Sequence, residues 1–311
     1  MRGVHCDGRS ARLRGDLPEP APAPGEVVLA VTLAGICDTD LQLARGYMGF
    51  QGTLGHEFVA RDDAGRRVTA EINAACHDCP TCLQGHPGHC PNRTVLGILG
   101  RDGAMADRVR VPARNVHPIP DAVGELDAAF VEPLAAAYRV VEQVNVDAST
   151  RVAVLGDGKL GLLCAWVLRA EGARVTLVGK HADKLALAGE GIETCELESA
   201  GGLGRPFDVV VDATGSPTGL ETALGLVRPL GTVVLKTTVA GDHAVSLAPV
   251  VIDEVRVVGS RCGPFPRAID ALARRVVDVT PLIGGQYPLD DAESAFEAAG
   301  ARGARKILLR I

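Results

Sequence analysis

Aromatic residues are scarce in this chain: one Trp, three Tyr and six Phe among 311 residues, or 3%. The core must therefore be built from Val, Leu, Ile and Ala, and a base-stacking platform is missing. An excess of positive charge is missing too. Lys and Arg number 32 against 38 Asp and Glu, for a net charge of −6, which argues against a surface that tracks a phosphate backbone and so against nucleic-acid binding. No apolar run approaches the ~18 residues that would cross a bilayer, so no membrane association is expected. The start, Met1-Arg-Gly-Val-His-Cys6, runs directly into polar sequence without the pattern of a secretory signal, and the expected compartment is the cytoplasm. What is present is globular: 47% apolar and 23% charged residues, with 37 Gly and 19 Pro implying many tight turns. The length suggests two domains at ~100–200 residues each.

The nine cysteines are an odd count in a long chain with no export pattern, so a disulfide framework is not expected. Four of them crowd into one stretch, Cys76-His-Asp-Cys79-Pro-Thr-Cys82 and then Cys90. Thiolates at this spacing read as the four ligands of a structural zinc, with reduced surface thiols or a redox pair as the alternatives. The lobe also holds Pro80, Gly85, Pro87 and Gly88 and has no core of its own, so metal bonds would supply its order. His77, His86 and His89 are candidate substitute ligands, but four sulfurs fit a closed tetrahedral site best.

Residues 1 to about 120 are strand-rich. Glu26-Val-Val-Leu-Ala-Val-Thr-Leu33 predicts a strand, and Asp102-Gly103 signals a hairpin into Met105–Val111. From about 133 to 262, strands and amphipathic helices alternate, the pattern of a parallel sheet with crossover helices. Within it, the apolar strand Arg151-Val-Ala-Val-Leu155 enters Gly156-Asp-Gly158-Lys159-Leu160-Gly161, and a helix with buried-face spacing follows. A G-x-G-x-x-G turn between strand and helix is a dinucleotide fingerprint. The first glycine makes the turn, the second admits the pyrophosphate, and the third lets helix and strand pack. The bland alternative is a tight turn with no ligand. The end of the next strand, where NAD-binding chains usually place an acid for the ribose, reads Gly179-Lys180-His181. Losing the acid and gaining two basic side chains favours NADP(H) over NAD(H).

Taken together, Gly35-Ile-Cys37-Asp-Thr39-Asp40, Gly55-His56-Glu57, the four-cysteine lobe, Glu132-Pro-Leu-Ala and the Gly156–Gly161 turn resemble, in order and over essentially the whole chain, the zinc-dependent medium-chain dehydrogenase/reductase family, in particular its alcohol, sorbitol and threonine dehydrogenase-like members. The resemblance implies an α/β chain: a GroES-like β-rich catalytic domain (1–132, with the zinc lobe at 76–90), an inserted Rossmann domain with a doubly wound parallel sheet (133–263), and a C-terminal return to the catalytic domain (264–311). It also implies a homodimer or homotetramer joined through the sheet-edge strand Glu254–Gly259.

By the same resemblance, Cys37, His56 and Glu132 hold a catalytic zinc. One thiolate, one imidazole and one carboxylate leave a fourth position open, as catalytic zinc requires. Glu57 stands beside the metal as an alternate ligand or a neighbouring group, Asp40 orients His56, and Thr39 relays the alcohol proton. Gln42 occupies the next relay position and cannot act as an acid or base near neutral pH, so the proton exit is expected to run through water or Glu57. The loop Gly46–Phe50 is the expected wall of the substrate pocket. The implied activity is hydride transfer between a small alcohol or polyol (or its aldehyde or ketone) and NAD(P), with two zinc ions per chain. The runner-up is a member that has lost catalysis and serves as a nucleotide-dependent sensor or structural protein.

Overall fold

The computed structural model describes residues 1–238 and 244–311. These form two compact units, one of Met1–Glu132 with Ala268–Ile311 and one of Pro133–Arg267.

The first unit is organised by the strand Glu26–Gly35, whose run of branched aliphatic residues suits a half-buried extended backbone. Its first half pairs with Arg108–Pro112, and its second half lies between Glu57–Arg61 and Lys306–Arg310. The main path of the sheet runs Val116–Pro118, Arg67–Ala70, Glu57–Arg61, Glu26–Gly35, Lys306–Arg310, Ile283–Pro288. A smaller sheet joins Ala11–Arg14, Gly3–Asp7 and Gln51–Thr53. Leu33, Phe58, Val59, Phe130 and Leu308 are fully buried here. The last strand of the chain thus sits inside the sheet. Its register sets Leu308 opposite Gly35 on one side, while Glu57 faces Gly35 from the other. Lys306, two residues before Leu308, is thereby carried to the Gly35–Cys37 end of the sheet.

The expected hairpin at Asp102-Gly103 does not form. Asp102 instead accepts a hydrogen bond from the Thr53 amide at 2.8 Å, and Gly103 donates to Thr53 O at 2.7 Å. A Cβ on Gly103 would meet the backbone of Leu54 at 2.5 Å. The glycine serves a close backbone approach, which the Asp-Gly turn signal does not distinguish from a hairpin.

The second unit is a six-stranded, all-parallel sheet in the order Ile192–Glu196, Arg174–Gly179, Arg151–Leu155, Phe207–Asp212, Val227–Leu235, Arg256–Gly259. The order reverses at the Arg151–Leu155 strand, so the crevice at its carboxyl end is the expected ligand position of such a sheet. The helix Lys159–Ala170 follows that strand and buries Leu162, Leu163, Cys164, Ala165, Val167 and Leu168. The C-terminal return expected at residue 264 starts later, because this unit extends to Arg267. The Arg267 guanidinium pairs with Glu171 at 2.6 Å and lies over the Tyr138 ring, which ties it to this unit. Among the described residues no helix is long and apolar enough to cross a membrane.

Candidate metal and dinucleotide sites

In the first unit, Ile36 leaves the central strand and Cys37 caps the helix Asp38–Leu43. Asp40, at the third helical position, turns back to accept the Cys37 amide at 2.8 Å, which satisfies one of the donors a helix start leaves open. The same carboxylate accepts the Gly55 amide at 3.2 Å and faces His56 Nδ1 at 3.4 Å. One buried Asp40 therefore fixes both the thiol-bearing turn and the imidazole-bearing loop. His56 is buried, and its Nδ1 makes no well-formed hydrogen bond. Burial opposes charge on this imidazole, but Asp40 and Cys37 outweigh it and hold the group well above the usual histidine range.

A ligand atom from each of Cys37, His56 and Glu57 lies within 4.8 Å of the other two. The carboxylate in this group is that of Glu57, expected beside the metal as an alternate ligand or neighbouring group, and Glu132 is not one of the three. Glu57 follows His56 into the strand Glu57–Arg61, and Glu132 stands in the first turn of the helix Val131–Gln143. Thr39 and Gln42 are half-buried on the Cys37 helix. Lys306 also reaches this group, and no sequence motif marks it. Its ammonium is fully buried, pairs with Glu57 Oε2 and donates to Ile36 O at 3.4 Å. Burial pushes toward the neutral amine, but Glu57 and Cys37 raise its pKa, so Lys306 stays charged. A lysine opening an otherwise apolar strand, Lys306-Ile-Leu-Leu, was the only signal available.

The four sulfurs of Cys76, Cys79, Cys82 and Cys90 form a second group within 4.8 Å. Three separations are 3.4 Å (Cys76–Cys90), 3.5 Å (Cys79–Cys82) and 3.8 Å (Cys79–Cys90). Zn–S bonds of ~2.3 Å in a tetrahedron put sulfurs about 3.8 Å apart, so the cage is metal-sized. Cys79 caps the short helix Pro80–Leu83, with Pro80 at the position where a missing N–H costs nothing. His77, His86 and His89 do not join the group. Both groups have donor sets that suit zinc: sulfur, imidazole and carboxylate in one, sulfur alone in the other.

In the second unit, Gly156 has φ +110° and no room for a side chain, since a Cβ would meet Ala213 O at 2.6 Å. A Cβ on Gly161 would collide with the Gly156 carbonyl, while the space before Gly158, which caps the helix, is open. A helix start capped by a glycine with open space around it suits a pyrophosphate, to whose charge the helix-start amides can donate hydrogen bonds. Lys159 and Leu160 open that helix. A cavity of about 240 Å³ lies along the turn, lined by Gly156, Asp157, Gly179, Lys180 and His181 among others.

Residues 23–121 match the family model for the alcohol dehydrogenase GroES-like domain, and residues 160–277 match that for zinc-binding dehydrogenase. The L-threonine 3-dehydrogenase of Streptomyces coelicolor is 31% identical over 94% of this chain and 94% of its own. The chain belongs to the zinc-dependent medium-chain dehydrogenase family. Sorbitol dehydrogenase of Halalkalibacterium halodurans is 27% identical over 94% of this chain and 93% of its own. A zinc-binding dehydrogenase of Sinorhizobium meliloti 1021, solved with NADP bound, superposes with a TM-score of 0.88 at 30% identity and covers 100% of this chain and 99% of that one. This medium-chain dehydrogenase is thus a zinc- and nicotinamide-dependent oxidoreductase of the alcohol dehydrogenase type, with a GroES-like β-rich part and a Rossmann part.

Proposed function

We propose that the protein oxidises a small alcohol or polyol, or reduces the corresponding carbonyl, at a zinc held by Cys37, His56 and Glu57, with a second, structural zinc in the four-cysteine lobe. The observation that carries this is the convergence of thiol, imidazole and carboxylate, backed by the buried Asp40 that faces the imidazole. Zinc in this site would act as a Lewis acid, making an alcohol proton more acidic and polarising a carbonyl. Cys37 and Glu57 supply the negative charge that faces the metal, and Glu57 shares its own with the buried Lys306 ammonium. Asp40 faces His56 Nδ1 at 3.4 Å and would orient the ring of a metal-bound His56, and such supporting carboxylates typically matter 10–100-fold. The Thr39 hydroxyl, on the same helix as Cys37, passes the proton outward. Gln42 cannot act as an acid or base near neutral pH, and Glu57 is committed to the metal and to Lys306, so the path continues through water.

Glu132 is the acid that family resemblance places at the metal, and Glu57 is the one the geometry presents. Zinc analysis of Glu57→Gln and Glu132→Gln separates them: the larger loss is expected in Glu57→Gln, and intact zinc there with loss in Glu132→Gln would reverse the assignment. The related sorbitol and threonine dehydrogenases support a hydroxyl-bearing metabolite as substrate. Lys180 at the strand end supplies charge that favours the 2′-phosphate of NADP(H). Copies associate as a dimer or tetramer through the exposed sheet-edge strand Arg256–Gly259. No observation favours the non-catalytic reading.

The test is two zinc ions per chain and nicotinamide absorbance change across a panel of polyols, secondary alcohols and carbonyls. Cys37→Ser should cut turnover by about a thousandfold, the several kcal/mol a Lewis acid provides. Full turnover in that variant would defeat the metal assignment.

A further inference from the structure

Gly179 looks, in the sequence, like the loss of the ribose-reading acid. In the structure a carboxylate stands at that strand end, delivered from the glycine-rich turn. Asp157 Oδ2 accepts the amides of Lys180 at 2.6 Å and His181 at 2.7 Å, the two residues that follow the strand Arg174–Gly179. His181 Nδ1 reaches both oxygens, Oδ2 at 3.0 Å and Oδ1 at 3.2 Å. Gly179 is what makes room: a Cβ there would fall 2.5 Å from the Asp157 side chain. The missing side chain at 179 and the carboxylate at 157 are therefore one feature.

We propose that Asp157 is the specificity-determining carboxylate that reads the hydroxyls of an unphosphorylated adenosine ribose, so that NAD(H) is a working cofactor beside NADP(H). The inference rests on the nicotinamide dinucleotide reading given above. Asp157 lines the cavity beside the fingerprint turn, as do Lys180 and His181. Its two amide bonds fall on Oδ2, while Oδ1 takes only the longer branch of the imidazole contact among the described residues, which leaves lone-pair capacity for a hydroxyl. Although partial burial works against it, hydrogen bonds from His181 and Lys180 hold the carboxyl below its usual range, so it is ionised near neutral pH. An ionised carboxylate accepts well from a ribose hydroxyl and repels a phosphate at the same place. The imidazole that appeared in the sequence to be a second cation for a 2′-phosphate is turned onto Asp157, and Lys180 remains as the opposing charge.

The test is dissociation constants for NADH and NADPH, read by nucleotide fluorescence, on wild type, Asp157→Asn, Lys180→Ala and the swap Asp157→Gly with Gly179→Asp. Asp157→Asn keeps the shape and an acceptor for the two amides but loses the charge. It should weaken NADH about tenfold, as for one charge-assisted hydrogen bond, and leave NADPH unchanged or tighter. Lys180→Ala should weaken NADPH alone. The swap moves the acid back onto the strand, where there is then space for it, and should recover NADH binding, which a mere loop tether at 157 would not allow. Equal changes in the two constants across Asp157→Asn and the swap would overturn the proposal. Failure of the underlying cofactor reading looks different: wild type itself would bind neither dinucleotide.

Discussion

At the residue scale, Lys306 shows how a charge can be fully buried. An ammonium and a carboxylate taken out of water each lose several kcal/mol of hydration, and their pairing offsets this only while both are present. The register of Lys306–Arg310 against Glu26–Gly35 makes the meeting with Glu57 unavoidable. Lys306→Met should therefore destabilise the metal-free protein by about 3–5 kcal/mol, because Glu57 is left without a counter-charge. Added zinc should restore part of the loss, since a cation then returns to the Glu57 carboxylate. Glu57→Gln combined with Lys306→Met should be milder than Lys306→Met alone. Urea unfolding with and without zinc measures all three, and an unchanged midpoint in Lys306→Met would refute the account. The contrast with Cys37 and His56 explains what could be read beforehand. Those two carry sequence-local marks, glycines beside them and Asp40 three positions on from Cys37. The partners of Lys306 and Asp157 lie 249 and 24 positions away, and only the folded register brings them together.

At the element scale, the clustering of the four cysteines is legible in the sequence because they lie within one short loop and need no distant pairing. Its titration is set by crowding. Burial pushes the Cys82 thiol up to about 12, while backbone hydrogen bonding at Cys76 brings Cys90 down to about 7. Without a cation the four sulfurs cannot all be thiolates near neutral pH. Zinc must then displace protons, so its affinity rises with pH and falls in acid. Chelation or mild acid should release the zinc proposed for this lobe with proton uptake and open the stretch around Leu83, which is already 75% exposed. Limited proteolysis between Cys82 and Cys90, appearing as zinc leaves, is the expected readout. Protection that persists in the zinc-free protein would show that the lobe holds itself together. The Asp102-Gly103 misreading belongs to the same scale: a dipeptide signal reports a glycine's freedom but not whether a turn or a neighbouring backbone uses it.

At the scale of the whole molecule, the alternation of strands and helices from Arg151 to Gly259 is local, and the parallel sheet follows from it under the usual right-handed crossover. The first unit is different, because its sheet is completed by the last residues of the chain. Lys306-Ile-Leu-Leu-Arg-Ile reads as a strand in sequence, yet nothing in it says that Glu26–Gly35 lies on one side and Ile283–Pro288 on the other. That placement follows from burial on both faces: Ile307, Leu308 and Leu309 are 0–5% exposed, which an edge strand in water would not permit. Deleting residues 304–311 should therefore do more than fray an end. It removes an interior strand, exposes Leu33 and Phe58, and takes Lys306 from Glu57. The first unit should lose its cooperative unfolding transition and its zinc, while the sheet of the second unit, which takes no strand from that segment, should keep its hydrogen-exchange protection. Exchange measured strand by strand on the truncated chain decides it. Protection retained at Glu57–Arg61 would mean that the closing strand is an accessory to this sheet and not its centre.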